Sequence, residues 1–185
     1  MITSQNKIIS MKRIKEEYIF LSKNLTNIGV TIGLPNPDNL FEWQCTFVGP
    51  SDSPYSGGLF IIKIKFPDDY PEKAPEVYFQ TPIYHLNVNQ RKKRTKGGDI
   101  LGHICINTLK WWMPSVKMFE VLNNIYGLFY FQNSESPYSI DAANEYINNH
   151  DLYVKKIKYF TKKYANPQTC LKEYKEDWDF IYKEE

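Results

Sequence analysis

The residues best suited to chemistry in this sequence lie in an irregular segment, residues 82–115, with Gly, Asn and Pro throughout. Within it, Cys105 falls outside any periodic pattern of apolar residues. A thiolate is a strong nucleophile, so Cys105 is a candidate for covalent chemistry. The alternative is a cysteine that only fills the core, because free cysteine is among the most buried residue types. A cysteine hydrolase would also need a base, for which His85 and His103 are the candidates.

Composition excludes several classes of function. The chain has 185 residues, 42% of them hydrophobic, which suffices for one domain with a sizeable core. A formal net charge of +2 argues against a disordered chain and against a strongly basic nucleic-acid binder. The longest apolar run, residues 125–131, is too short to cross a bilayer. No apolar stretch long enough for a signal peptide follows the N-terminus. We therefore expect a monomer of the cytoplasm or nucleus, with neither a membrane nor a nucleic acid as partner.

The cysteine pattern predicts a reduced protein without a cofactor. Cys45, Cys105 and Cys170 are odd in number and form no CxxC pair, which argues against a disulfide framework and against a cysteine-rich zinc site. The sequence contains no phosphate-binding glycine loop and no cluster of His, Cys and carboxylate residues. We therefore expect neither a cofactor nor a metal.

The elements that must position the irregular segment begin with a helix. From residue 7 to about residue 24 the apolar residues step i, i+4, i+7 and i+11, which is one face of an amphipathic helix: Ile14, Tyr18, Leu21 and Leu25. Three basic residues fall largely off this face and are expected to be exposed to solvent: Lys12, Arg13 and Lys15.

The pattern then changes to period two, which predicts strands. Apolar residues alternate through residues 41–47 and again through residues 60–66, and Val77 and Phe79 indicate a short further strand. Clusters of turn-forming residues separate these runs, so the three strands should form an antiparallel meander.

Helical spacing returns after the irregular segment. Stripes of apolar residues begin at Met118 and Tyr153, and Asp141 is expected to open a short helix between them. A last stripe predicts a helix in the C-terminal residues: Leu171, Tyr174, Trp178 and Ile181. The order of helix, sheet, irregular segment and helices predicts an α+β domain. We divide the chain into a core, residues 7–165, and a C-terminal helical extension, residues 166–185, that packs on the core or binds a partner.

Five blocks of sequence give the chain a resemblance to a known family. They are residues 41–44 (FEWQ), 49–58 (GPSDSPYSGG), 66–71 (FPDDYP), 84–87 (YHLN) and 103–107 (HICIN). In this order the blocks resemble the ubiquitin-conjugating enzymes over about residues 11–165. The resemblance implies the family's α+β fold, with an N-terminal helix, an antiparallel meander sheet, an active-site loop segment and C-terminal helices.

The resemblance also implies an activity. Such an enzyme accepts ubiquitin as a thioester on Cys105 from an activating enzyme and transfers it, with a ligase, to a substrate lysine. By resemblance, Asn87 stabilises the oxyanion of aminolysis or orders the nearby loop, although it could be a simple turn residue. Ser136, in Glu135-Ser136-Pro137, is expected to position the incoming lysine, with a helix-capping serine as the alternative. His85 is expected to be structural and not a base.

Other interpretations of the function stay open. Residues 105–107 and 126–128 are similar to the enzymes that conjugate the cullin modifier, whereas the first half of the chain is more similar to ubiquitin enzymes. Ubiquitin is the predicted modifier and the cullin modifier the alternative. A catalytically inactive binding variant of the same fold and a cysteine hydrolase are the alternatives from other classes.

The resemblance assigns partners to exposed positions. Lys12 and Arg13 match basic residues on the first helix that dock the activating enzyme. Glu72 stands where several ubiquitin enzymes carry a large apolar residue that inserts into ligases, which predicts an altered choice of ligase. Pro114 and Ser115, in a second loop, are expected to provide the opposing contact.

Two departures from the family pattern lie beside Cys105. Leu86 replaces the motif proline, which adds an N–H that needs a partner and is expected to loosen the turn that carries Asn87. The basic segment, residues 90–99, holds five basic residues and one acid, while the rest of the chain has 18 basic and 20 acidic residues. This insertion is a candidate contact for an acidic patch on a ligase, substrate or modifier, a nuclear localisation signal, or a solvated run of charge.

Overall fold

The computed structural model of the protein describes residues 4–25, 29–91 and 101–174. The first element is helix α1, Ser4–Asn24, as the apolar spacing predicts. Ile14 and Leu21 are buried on its inner face and Leu25 is buried just after its end, while Lys12 and Lys15 are exposed on the outer face. The helix packs against the sheet and against a later helix.

Among the described residues, the sheet has four antiparallel strands in the order β1-β2-β3-β4. They are β1 Val30–Gly33, β2 Glu42–Val48, β3 Leu59–Lys65 and β4 Glu76–Phe79. The predicted meander of β2, β3 and β4 is confirmed, and β1 is an additional strand that the sequence analysis missed. In β2 every second residue is fully buried, namely Trp43, Cys45 and Phe47, because alternate side chains of a strand face the same side of the sheet.

In the described part of the chain, four helices follow the irregular segment or interrupt it. They are α2 Asn107–Lys110, α3 Met118–Gly127, α4 Ile140–Asn148 and α5 His150–Tyr164. The predicted helices at residues 118, 141 and 153 are confirmed. Just after α3, Phe129 joins the aromatic core, where its ring centre lies 5.2 Å from the ring centres of Tyr55 and Phe60.

The C-terminal helix is not formed in the part of the extension that the structure describes. Residues 166–174 consist of turns and irregular backbone, so Leu171 and Tyr174 do not belong to a helix, while Trp178 and Ile181 lie outside the described residues. The segment is instead held by main-chain carbonyls: Thr81 donates its hydroxyl hydrogen to Cys170 O at 2.8 Å. Gln80 Nε2 likewise donates to Leu171 O, so side chains of the core satisfy two carbonyls that a helix would have paired with its own N–H groups.

Within residues 4–25, 29–91 and 101–174, none of the helices is both long enough and apolar enough to cross a membrane. The same residues contain no group of three or more His, Cys, Asp or Glu side chains that could hold a metal ion. Most of the basic segment, residues 92–99, lies outside the described part of the chain, so the predictions for it are not tested.

Candidate active site

The segment that carries Cys105 lies between the outer edge of β4 and a second extended stretch. On one side, Phe79 N donates to Gly102 O at 2.8 Å and Ile104 N donates to Val77 O at 3.3 Å. On the other side, Cys105 N donates to the carbonyl of Asn87 at 2.9 Å. Backbone hydrogen bonds on both sides therefore fix the position of the thiol, although it belongs to no named strand.

Gly102 gives this segment its entry turn. Its φ is +83°, a conformation that residues with a Cβ rarely adopt. Gly102 N donates to Asn89 O at 2.8 Å, and Asn89 N donates to His103 O at 2.9 Å. Residues 87–89 and 102–105 therefore run antiparallel, with Asn87 opposite Cys105 and Asn89 opposite His103.

Cys105 is the most accessible of the three thiols. It is partly exposed, whereas Cys45 and Cys170 are buried with exposures of 0% and 5%. Burial raises the pKa of the Cys45 thiol to about 12, because the thiolate would lose its hydration. Since the thiolate is the reactive form, Cys45 is chemically inert, and Cys105 is left as the candidate nucleophile.

Asn87 joins the thiol segment to the loop at residues 133–136. Its side-chain Nδ2 donates to Asn133 O at 2.8 Å and to Ser136 O at 3.3 Å, and its Oδ1 accepts from Asn133 N at 2.9 Å. The residue itself is 1% exposed. The buried amide is thus fully hydrogen-bonded to this loop, and its bond to Ser136 O is the longest of the three.

His85, which is buried, fixes the backbone of Asn87 with a hydrogen bond. Its Nδ1 accepts from Asn87 N at 2.9 Å, which leaves the ring proton on Nε2 to donate to Leu128 O at 3.0 Å. Burial lowers the pKa of His85 to about 4, so the ring is neutral at physiological pH. With both nitrogens engaged, His85 has no free site for a proton from Cys105, which agrees with the structural role expected of it.

Ser136 is not a helix cap. The residue that caps α4 is Ser139, whose hydroxyl accepts from Ala142 N at 3.3 Å. The capping alternative for Ser136 is therefore wrong. Ser136 is partly exposed in the loop that Asn87 holds.

Leu86 does not leave an unpaired donor in the turn. Its N–H donates to the Tyr153 hydroxyl oxygen at 3.4 Å, and its carbonyl accepts from Tyr138 N at 2.7 Å and from Ser139 N at 3.0 Å. The leucine side chain is completely buried. The expected loosening of the turn is offset by these contacts, which also fasten the loop after Ser136 to the motif.

The two candidate ligase loops lie next to each other. Trp112 Nε1 in the second loop donates to Pro71 O in the first at 2.7 Å. Glu72, Pro114 and Ser115 are exposed, as a contact surface requires. The sequence analysis missed two larger residues of the second loop, Trp111 and Met113, which are 69% and 59% exposed. In the sequence they stand out only as apolar residues clustered in a loop, and such residues can be either buried in the core or exposed on the surface.

Arg13 is partly buried and has hydrogen-bond partners, so the prediction that it is exposed to solvent was wrong. Its side chain is 19% exposed, its Nε donates to the Glu17 carboxylate and its Nη2 donates to Val116 O at 3.0 Å. Glu17 also accepts from the Tyr70 hydroxyl at 2.7 Å and from Met118 N. Charges removed from water need such partners. Through Arg13 and Glu17, helix α1 is therefore hydrogen-bonded to residues at or next to both candidate ligase loops.

The helix, the four-stranded meander, the loop segment with its accessible cysteine and the C-terminal helices form the α+β fold of a ubiquitin-conjugating enzyme. The family model described as ubiquitin-conjugating enzyme matches residues 13–161, and the chain belongs to this family. Membership supports conjugating activity in general, with ubiquitin, an activating enzyme and a ligase as the general classes of partner.

Proposed function

We propose that this protein accepts ubiquitin as a thioester on Cys105 from an activating enzyme and transfers it, with a ligase, to a substrate lysine. The observation that carries the proposal is the placement of Cys105, the most accessible thiol, against Asn87 and its loop in a chain of this family. The cullin modifier is the alternative cargo, favoured by residues 105–107 and 126–128.

Both steps are acyl transfers that need no cofactor. In the first, the Cys105 thiolate attacks the thioester carbonyl on the activating enzyme, and that enzyme's cysteine leaves as a thiolate. In the second, the lysine nitrogen attacks the new thioester, the C–S bond breaks and the Cys105 thiolate leaves. The attacking nitrogen releases its extra proton to solvent or to a nearby base. A neutral lysine amine is required, because an ammonium has no lone pair.

The hydrogen bonds of Asn87 support the loop-ordering role over direct oxyanion binding. Its stronger side-chain donor bond is to Asn133 O, at 2.8 Å, and only the 3.3 Å bond to Ser136 O is readily given up. We propose that Asn87 holds residues 133–136 beside the thioester and that Ser136 helps to position the lysine. A serine hydroxyl cannot act as a general base at neutral pH, so its contribution is positional.

The contacts disfavour the two other classes of function. A hydrolase based on His85 lacks a base, because that ring is neutral and bonded at both nitrogens. The His103 ring packs against Tyr138, with 6.0 Å between the ring centres. The inactive binding variant was suggested by Leu86, whose N–H has a partner here.

We further propose docking surfaces and a location. Lys12, which is exposed on α1, contributes to binding of the activating enzyme, while Arg13 acts mainly through Glu17. Glu72, Pro114 and Ser115 contribute to ligase binding. The cytoplasm or nucleus is the expected location.

The test is a charging assay on a non-reducing gel with activating enzyme, ATP and either ubiquitin or the cullin modifier. A thiol-sensitive adduct should form with one modifier, disappear in Cys105→Ser and persist in the matched control Cys170→Ser. An adduct that survives Cys105→Ser would refute the assignment of the cysteine. A folded protein that forms no adduct with either modifier would favour the inactive binding variant.

A further inference from the structure

A cavity of about 300 Å³ lies where three parts of the fold meet. They are the turn after β2 at residues 52–54, the chain after α3 at residues 129–132, and residues 146–157 of α4 and α5. The residues that line the cavity take no part in the reaction proposed above. A volume of this size is at the small end of the range for ligand sites, so the cavity has room for one long side chain.

One wall of the cavity is a cluster of three aromatic rings. The centre of the Tyr146 ring lies 5.4 Å from that of His150 and 5.4 Å from that of Tyr153. Tyr153 is completely buried and supports the other two rings, whereas Tyr146 is partly exposed and His150 is exposed. Because the face of an aromatic ring carries partial negative charge, this wall favours a cation over an anion.

The other wall carries a negative charge. Tyr130 donates its hydroxyl hydrogen to Asp52 Oδ1 at 3.1 Å, which holds the carboxylate at the cavity. A carboxylate has lone pairs for several donors, so Asp52 can also accept from a ligand. The described residues that line the cavity include no Lys and no Arg, so no permanent positive charge among them balances that of Asp52.

The combination of rings and one carboxylate suits a guanidinium group best. A guanidinium is planar, always charged and weakly hydrated, so it can stack on a ring while its N–H groups donate to a carboxylate. A lysine ammonium is a compact and strongly hydrated charge, which loses more hydration on entering an aromatic site.

The surface beside the cavity favours an arginine that belongs to a protein. Phe131 follows Tyr130 in the chain, its ring centre lies 6.3 Å from that of Tyr130, and it is 81% exposed. Large apolar side chains exposed side by side are typical of protein contacts. A polypeptide can place an apolar neighbour of the arginine on Phe131, whereas the charged ends of free arginine gain nothing there.

We propose that this cavity binds the guanidinium group of an arginine from a partner protein. The rings of Tyr146 and His150 contact one side of the group, and the Asp52 carboxylate accepts its hydrogen bonds. Phe131 contacts an apolar residue next to that arginine. The site does not depend on thioester chemistry, so it exists whether or not the protein transfers a modifier.

The test is NMR titration of the isotope-labelled full chain at pH 8 with three capped tripeptides of the form Leu-Xaa-Leu. The central residue is arginine, lysine or citrulline, which has nearly the shape of arginine without its charge. The arginine peptide should shift the amide resonances of Asp52, Tyr146 and His150. It should bind about tenfold more tightly than the citrulline peptide, as expected when rings and a carboxylate both hold the cation.

The other peptides and free arginine identify the occupant. Equal binding of the arginine and citrulline peptides would overturn the proposal, and tighter binding of the lysine peptide would refute the choice of a guanidinium. Free arginine should bind more weakly than the arginine peptide, and Phe131→Ser should remove that difference. Free arginine that binds wild type as tightly as the peptide does would refute a protein as the source.

Variants locate the two walls. Asp52→Asn keeps the acceptor for Tyr130 and should weaken binding of the arginine peptide about threefold, whereas Asp151→Asn, an exposed acid of α5 outside the cavity lining, should not. Tyr146→Phe keeps the ring and should bind normally, whereas Tyr146→Leu should weaken binding about threefold. Equal losses in the two Asp variants, or full binding in Tyr146→Leu, would contradict the assignment. The comparison with citrulline in the wild type remains decisive if a variant fails to fold.

Discussion

Acidification should destabilise this protein through His85, and the contacts of the ring set the size of the effect. A second proton would have to sit on Nδ1, which faces the N–H of Asn87, inside a site without water contact. Burial therefore lowers the pKa of His85 to about 4, from an ordinary value of 6.5. The unfolded chain binds the proton at the ordinary value, so the folded state loses stability as the pH falls from about 6.5 to about 4.

The magnitude follows from the two pKa values of His85. Each unit of difference corresponds to about 1.4 kcal/mol, so the full loss in the free energy of unfolding is about 3 kcal/mol. Because the unfolded chain is almost fully protonated at pH 5 and the folded ring is not, about 2 kcal/mol should already be lost between pH 7.5 and pH 5.

The assay is urea unfolding of the wild type and of His85→Gln at both pH values. A glutamine can place its amide nitrogen near the position of Nε2 and donate to Leu128 O, and it binds no proton. Whatever the stability of the variant at pH 7.5, the gap between the two proteins should change by about 2 kcal/mol in favour of the variant at pH 5. A gap that is equal at both pH values would refute a buried neutral ring. If the variant fails to fold, direct NMR titration of His85 in the wild type measures its pKa in the folded protein and tests the same point.

Three further predictions concern the thiol, the motif asparagine and the buried ion pair. Brief alkylation of the native protein should label Cys105 at least tenfold faster than the other two cysteines, as read by mass spectrometry; equal labelling would contradict their burial. Asn87→Ala should slow discharge of the thioester onto lysine by about 100-fold, because the loop at residues 133–136 would no longer be held in place, and Ser136→Ala should have a smaller effect; unchanged discharge would show that loop order is not needed. Glu17→Gln should lower the free energy of unfolding by about 3 kcal/mol, because Arg13 keeps its charge and its bond to Val116 O but loses the carboxylate that balances the charge; a loss below about 0.5 kcal/mol would refute that.

The elements with strong periodicity could be predicted from the sequence, and the short ones could not. Helix α1 and strands β2 and β3 each repeat their apolar pattern several times, so local sequence and tertiary burial agree. Strand β1 has four residues and ends in Gly33, which is too short for a period-two pattern to stand out. The C-terminal stripe at Leu171 and Tyr174 had helical spacing, but bonds from the core hold that backbone in turns.

The candidate site was predicted as a set of residues but not as a network. Cys105 and Asn87 could be named from their motifs, yet their hydrogen bond joins residues 18 positions apart and depends on pairing with β4. The burial of Arg13 was missed because helical spacing gives the direction of a side chain and not what packs over it. Ser139 was missed as the helix cap because Ser136 stands only three positions before it and carries the same hydroxyl.

The anchoring of two exposed loops by the buried Glu17 carboxylate bears on how this protein can diverge. Bonds from α1, and not the outward side chains, determine where the loops lie. Glu72 and Met113 face solvent and contribute little to that position. Mutations at these two positions can therefore accumulate at little cost in folding, so a duplicated copy of the gene could change what these loops contact through surface changes alone, whereas a substitution of Glu17 would disturb the placement of both loops.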